Sequence, residues 1–299
     1  MPRPSPTALK AYIRDDYDAA APGWESYMGP YFRVPAERLV ADLAPRRSDR
    51  CLDLACGSAL VARAFASRVG PERVAACDLS PVQVEEARAV LLAAGLPDIE
   101  VSVMDAERIV YPEASFDRVG CGFGLNHFPR PLAALRGVRR VLSPGGRAGF
   151  TFWGSFSPDI RNRFDECLLE IVPAIEAWTA SPCEIAFGNL AHRNSRPARL
   201  VDLMGRAGFV RIEQRSHRFA ADYVDAPTFV DAMLSRAERD LRRAGLGAEE
   251  RAAVRNRLIV ELSAYPPRTF IVQRTYHTLL GSRPLDGQEP GTQATERIG

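Results

Sequence analysis

Lysine is almost missing from this chain of 299 residues. Lys10 is the only one, and arginine supplies the rest of the 39 basic side chains. A catalytic or Schiff-base lysine in the core is therefore excluded. Long apolar runs are missing too. No stretch approaches the ~20 uninterrupted apolar residues of a membrane span. The start, Met1-Pro2-Arg3-Pro4-Ser5-Pro6, lacks the apolar run of a signal peptide, so the expectation is a soluble, cytoplasmic protein. Excess charge is absent: 39 basic against 37 acidic residues leave a formal net charge of +2. That gives no electrostatic case for nucleic acid or an acidic membrane surface. The six cysteines, at 51, 56, 77, 121, 167 and 183, form no C-x-x-C pair and no Cys/His cluster of zinc spacing. No metal site and no disulfide framework is expected.

What is present is alternation. Strand-like runs fall at 50–54, 73–77, 99–104, 116–121 and 147–153. Helix-like runs lie between them at 60–69, 81–94 and 131–142. Pro81 and Pro131 sit at first-turn positions, with Ser80 placed to cap the former. Strands alternating with helices mean a doubly wound α/β sheet, parallel and covered on both faces. Before it, 7–20 and 34–43 read as helices, with Pro30 and Pro35 punctuating the loop between them. After it, 159–177 reads as an amphipathic helix in an insertion ending near 196. Helix 197–207 and strand 209–219 follow, then helices 227–244 and 248–262 and a last strand, 269–277. The division expected is 1–45 as an N-terminal helical lid and 46–280 as the core. Its helical insertions lie at about 155–196 and 225–265, and 281–299 is a disordered tail.

The turn Asp53-Leu54-Ala55-Cys56-Gly57-Ser58-Ala59 ends the first strand with small residues, as close approach of a ligand to backbone requires. Asp53 can accept from an ammonium group there. Asp78 ends the second strand, where a carboxylate can take both hydroxyls of a ribose. Asp105 follows the third, placed for an exocyclic adenine amine, with the Ala106 N–H in reach of a ring nitrogen. Leu79 can pack on the adenine face. Acids at three successive strand ends, with no G-x-G-x-x-G turn, argue against a pyrophosphate ligand.

These residues resemble the class I S-adenosylmethionine-dependent methyltransferases, and are most similar to the branch with the ubiquinone/menaquinone C-methyltransferases and small-molecule enzymes. The motifs are Asp53–Ser58, Asp78, Met104-Asp105-Ala106-Glu107, Ser115-Phe116-Asp117, Phe123-Gly124-Leu125-Asn126-His127 and Arg140–Arg147, in order and at matching spacing. The resemblance implies a Rossmann-like, seven-stranded, mostly parallel sheet with N-terminal helices and helical lid insertions. It implies S-adenosylmethionine as cofactor, held by Asp53, Ala55, Gly57, Asp78, Leu79, Asp105, Ala106 and Gly122. Tyr17 and Arg33 are implied near its methionine end. The chain departs at Ala59, where the family usually has glycine. The added methyl is cheap if φ there is negative and costly if it is positive.

Methyl transfer from a sulfonium needs alignment and a dry pocket, and a hydroxyl acceptor needs a base. His127, just past the fourth strand, is the candidate base; the alternative is a loop histidine capping the next helix. His192 and His217 rank below it. Tyr12, Tyr17, Trp24, Tyr27, Tyr31 and Phe32 make an aromatic entrance, and Trp153, Phe156, Phe164, Trp178 and Phe187 are candidates to line an apolar acceptor pocket. An apolar small molecule of secondary metabolism fits that lining. A second reading is an enzyme that binds the cofactor but performs a cyclisation or pericyclic step. A homodimer is left open.

Overall fold

The computed structural model describes residues 4–154, 160–175 and 182–287. Helix α1 (Pro6–Ala20) starts at Ser5, whose hydroxyl accepts from the Ala8 N–H, and α2 spans Trp24–Leu43. The alternating half follows: β1 (Cys51–Leu54), α3 (Leu60–Val69), β2 (Val74–Asp78), α4 (Pro81–Ala93), β3 (Glu100–Val103), β4 (Phe116–Gly122), α5 (Pro131–Val141) and β5 (Leu142–Trp153). Then come α6 (Ile160–Ile171), α7 (Pro182–Asn194), α8 (Pro197–Arg206), β6 (Val210–Asp222), α9 (Ala226–Arg243), α10 (Ala248–Leu262) and β7 (Ile271–Ser282).

The seven strands lie in the order β3-β2-β1-β4-β5-β7-β6. β1 to β5 are parallel neighbours, and β7 runs antiparallel between β5 and β6. The Rossmann-like, mostly parallel α/β architecture expected from the sequence is the one found. The strand order reverses between β1 and β4, and the carboxyl edge there is where such sheets bind ligands. Register brings the acids together. Asp53 stands opposite Ala76 and Gly120, and the Met104 N–H continues the ladder by donating to the Asp78 carbonyl at 2.8 Å.

Three large buried clusters hold the fold, and a smaller one joins Leu9 and Ile13 of α1 to Leu190 of α7. One face of the sheet packs Leu52, Phe116, Phe150 and Phe152 under α5 and α8; the other packs Leu39, Leu43, Val61 and Phe65 from α2 and α3. Each such side chain, fully buried, contributes roughly 1.5–3 kcal/mol. α3 can lie flat on β4 only because Gly120 has no side chain: a Cβ there would stand 2.8 Å from Val61 Cγ1. The third cluster belongs to the insertions, where Phe164, Phe229, Leu258 and Phe270 pack with Tyr31 away from the sheet centre.

Several boundaries differ from expectation. α2 begins at Trp24, not 34, and carries both Pro30 and Pro35 inside it. Each proline removes an i→i−4 bond, but the helix presents Trp24, Tyr31 and Phe32 to aromatic partners, and that packing holds it. α7 has no counterpart in the sequence reading. The last strand runs to Ser282, which pairs with Arg147 and Val210, and Arg283 donates to the Arg140 and Leu142 carbonyls. Residues 281 and 282, expected in a tail, belong to this strand; residues 288–299 lie outside the described residues.

Candidate active site

One cavity of about 1100 Å³ opens at the carboxyl edge of the sheet, beside the β1/β4 reversal. Tyr17, Asp53, Ala55, Gly57 and Asp78 line it, as do Leu79, Asp105, Ala106, Gly122 and His127. The ten residues singled out in the sequence therefore share one space. Arg33 does not: it is exposed on α2 and outside the lining.

The turn after β1 is built on left-handed backbone. Ala55, Gly57 and Ala59 have φ of 57°, 51° and 60°. Ala59 is thus the costly case, at about 1–2 kcal/mol for an L-residue in that region. Its methyl does not face the cavity. It is fully buried in the cluster with Val61 and Ala36, and Ala59 is absent from the cavity wall. The local packing offsets part of the strain.

Asp53 is 1% exposed. Its Oδ2 accepts from the Ala62 N–H at 2.8 Å, while Oδ1 has no hydrogen-bond partner among the described residues. Burial pushes its carboxyl up to about 7, against the Ala62 hydrogen bond and with the charge of Asp78 adding to the rise. Asp78 is raised for the same first reason, burial, although its oxygens accept from the Gly57 and Ser80 N–H groups at 3.0 Å each. Three more buried polar atoms on the wall also lack partners among the described residues: Ser58 Oγ, Gln83 Oε1 and Asn126 Oδ1. A wall with orphaned acceptors and two reluctant carboxylates fits a ligand carrying an ammonium group and hydroxyls. Asp105 Oδ1 accepts from the Glu107 N–H at 2.9 Å, and its Oδ2 from Lys10 at 2.6 Å.

Beyond this polar end the wall turns aromatic. Phe123 stacks on Trp153 with centroids 4.1 Å apart, and Phe32 stacks on Trp24 at 5.9 Å and meets Phe123 edge-on at 5.3 Å. Phe123 itself has φ of 60°, an outlier for a bulky residue, and its N–H donates to Thr151 Oγ1 at 3.0 Å. Phe164, Leu168 and Met233 extend the apolar surface. Tyr12 instead faces Arg243, 4.8 Å from its ring. Phe156 and Trp178 lie outside the described residues, as do the side chains of Tyr27, Phe187 and His192.

His127 ends a 3-10 turn, edge-on to Tyr17 at 5.8 Å. Its Nε2 lies 3.2 Å from Asn126 Nδ2, so the amide donates and Nε2 is the lone-pair nitrogen. Asn194, at the end of α7 and fully buried, donates to the Asn126 and Phe128 carbonyls and fixes this turn. His217 sits elsewhere, 3.6 Å from Asp42 and against Tyr276. His277 does line the cavity, with Nδ1 2.9 Å from Ser216 Oγ.

Sequence reasoning missed Lys10, Gln83, Asn126 and His277. Gln83 had a visible signal, since Ser80-Pro81-Val82-Gln83 reads as a capping box. Only half of it forms. The Gln83 N–H donates to Ser80 Oγ, but the Gln83 amide turns to the Tyr17 carbonyl of α1 at 3.3 Å.

The sheet, its reversal point and a cavity edged by three acids resemble those of class I S-adenosylmethionine-dependent methyltransferases. Residues 51–146 match the family described as "Methyltransferase domain". Aklanonic acid methyltransferase DauC of Streptomyces sp. (strain C5) is 28% identical over 220 residues, covering 71% of this chain and 98% of that one. The ubiquinone/menaquinone biosynthesis C-methyltransferase UbiE of Cupriavidus necator is 29% identical over 177 residues, covering 58% and 72%. Among solved structures, the [4+2]-cyclase SpnF superposes with a TM-score of 0.56 at 18% identity, over 91% of this chain and 95% of that one. Phosphoethanolamine N-methyltransferase 2 of Haemonchus contortus, solved with S-adenosylmethionine, gives 0.54 at 16%, over 88% and 57%. Both structural likenesses speak for the fold. The family match and these relatives together support a class I S-adenosylmethionine-dependent methyltransferase.

Proposed function

We propose that this enzyme methylates an apolar small molecule in cytoplasmic secondary-metabolite biosynthesis. The observation that carries the reading is the two-ended cavity: polar and acid-lined at the sheet edge, aromatic beyond it. Its volume of about 1100 Å³ exceeds the roughly 300–1,000 Å³ of single small-ligand pockets, which favours room for cofactor and acceptor together. In this reading the N-terminal helices and the two insertions form the acceptor-side lid.

When bound, S-adenosylmethionine supplies an electrophilic methyl on a sulfonium. Asp53 Oδ1 takes the cofactor's ammonium group, which also restores the charged form of a carboxyl that burial disfavours. Asp78 and Gln83 Oε1 take ribose hydroxyls, and Asp105 with the Ala106 N–H reads the adenine edge. Ala55, Gly57 and Gly122 let the ligand approach the backbone, Leu79 packs on the adenine, and Tyr17 covers the methionine end. Trp24, Phe32, Phe123 and Trp153 exclude water and orient the acceptor. His127 takes the acceptor's proton at Nε2, where the acceptor hydroxyl replaces the Asn126 amide as donor.

An altered cofactor contact at Ala59, where the family usually has glycine, would favour cyclisation. A methyl packed into the core does not favour it, and the SpnF likeness concerns fold. Incubation with S-adenosylmethionine and aromatic acceptors, followed by mass spectrometry, separates the two. S-adenosylhomocysteine formed with product supports methylation; product without it supports cyclisation.

A further inference from the structure

The only lysine of the chain is on the cofactor cavity, not on the surface at large. Lys10 projects from α1 and is 15% exposed; its Nζ lies 2.6 Å from Asp105 Oδ2 and 2.5 Å from Glu107 Oε2. The Glu107 side chain is 1% exposed and also pairs with Arg130 Nε at 2.8 Å. Both carboxylates follow β3, 95 residues from Lys10 in the chain for Asp105. Two further contacts join α1 to the segment after β2. Ser80 Oγ donates to the Asp18 carboxylate, and Gln83 Nε2 donates to the Tyr17 carbonyl at 3.3 Å. α1 is thus fastened at both of its ends to the two segments that border the nucleoside end of the cavity.

We propose that Lys10 is the positioning residue that closes α1 over the nucleoside end of the cavity and thereby sets the rate of cofactor release. This rests on the cofactor placement above. An ammonium is suited to the task. It is compact, has three donors, and can hold two carboxylates while leaving their remaining lone pairs to the ligand. With α1 docked, Lys10 keeps Asp105 facing the adenine amine and blocks the way out. For S-adenosylhomocysteine to leave, the Lys10 pairs and the Asp18–Ser80 contact must open.

The test uses the intact protein and S-adenosylhomocysteine as probe. Trp24 and Trp153 line the cavity, so stopped-flow tryptophan fluorescence reads association and dissociation separately. Lys10→Met should speed dissociation about tenfold or more, the worth of a charge-assisted contact, and change association much less. Lys10→Arg should stay near wild type. Asp18→Ala, which leaves the Lys10 pairs intact, should also speed dissociation, and it serves if Lys10→Met does not fold. A second readout exploits the single lysine: acetylation of Lys10 by an amine-reactive ester, followed by peptide mass mapping, should slow when S-adenosylhomocysteine saturates the protein. Unchanged or slower dissociation in Lys10→Met or Asp18→Ala, or labelling indifferent to ligand, overturns the proposal. A wild-type protein that binds no S-adenosylhomocysteine would instead sink the cofactor placement on which it rests.

Discussion

The two ends of the cavity are built in opposite ways. The cofactor end is made by consecutive strand ends and the short turns after them, so parallel register alone sets its acids side by side. It also concentrates unfavourable features: left-handed alanines at 55 and 59, an orphaned Asp53 oxygen and two carboxyls raised by burial. The aromatic end is made by α2, the residues ending β4 and β5, and the insertions, pieces far apart in the chain; α2 meets Phe123 and Trp153 through ring packing. It has its own hydrophobic cluster. One end carries unpaired polarity that a polar ligand can satisfy; the other presents an aromatic wall. A fold can keep the first and vary the second.

Substitutions can break this comparison. The largest effect is expected at the junction of the two ends. His127→Ala should lower kcat about a hundredfold, in the range of general-base contributions, while S-adenosylhomocysteine affinity measured by calorimetry stays unchanged. Full activity would remove His127 from the mechanism.

Next is Asp53→Asn, which should weaken S-adenosylmethionine binding at pH 8 by about tenfold or more, as loss of a charged partner does. Stability should move the other way. A carboxyl raised to about 7 from an ordinary unfolded value near 4 binds protons more tightly when folded. Its contribution is present in full at low pH and is lost as pH rises through about 7. The unliganded Asp53→Asn protein should therefore melt higher than wild type at pH 8, with the gap closing towards pH 4. Cofactor affinity of the wild type should in turn strengthen as pH rises through the same window.

Trp153→Ala should raise acceptor KM by about tenfold, from lost stacking and buried area, with little change in cofactor affinity. An equal loss at both ligands would deny the division into two ends. The smallest effect belongs to Ala59→Gly. Relief of about 1–2 kcal/mol of left-handed strain is offset by about 0.8 kcal/mol for a lost buried methyl and about 0.5–1 kcal/mol of chain entropy. Chemical denaturation should show a change under about 1 kcal/mol, and cofactor affinity should hold.

The same contrast explains what was legible in the sequence. The alternating half from β1 to β5 announced itself through local signals: apolar runs, Ser80 and Pro81 at a helix start, acids at strand ends. Asp53, Asp78 and Asp105 needed only the knowledge that parallel strand ends align. The lid did not announce itself, because its structure is decided by distant partners. α2 runs through two prolines on the strength of aromatic contacts, and α7 ends in Asn194, whose meaning lies 66 and 68 residues upstream. Lys10 looked irrelevant because nothing nearby pairs with it. Gln83 was disguised as a cap. For Ala59 the question was visible, but only the backbone could say that φ is positive and the methyl faces inward.

The placement of the cofactor at the β1/β4 edge is the claim on which the rest depends. Calorimetric titration of S-adenosylhomocysteine into the wild type and into Asp78→Ala tests it most directly. The account predicts one site per chain in the wild type and an affinity weakened by about tenfold or more in the variant. Equal affinity in the two proteins would contradict it.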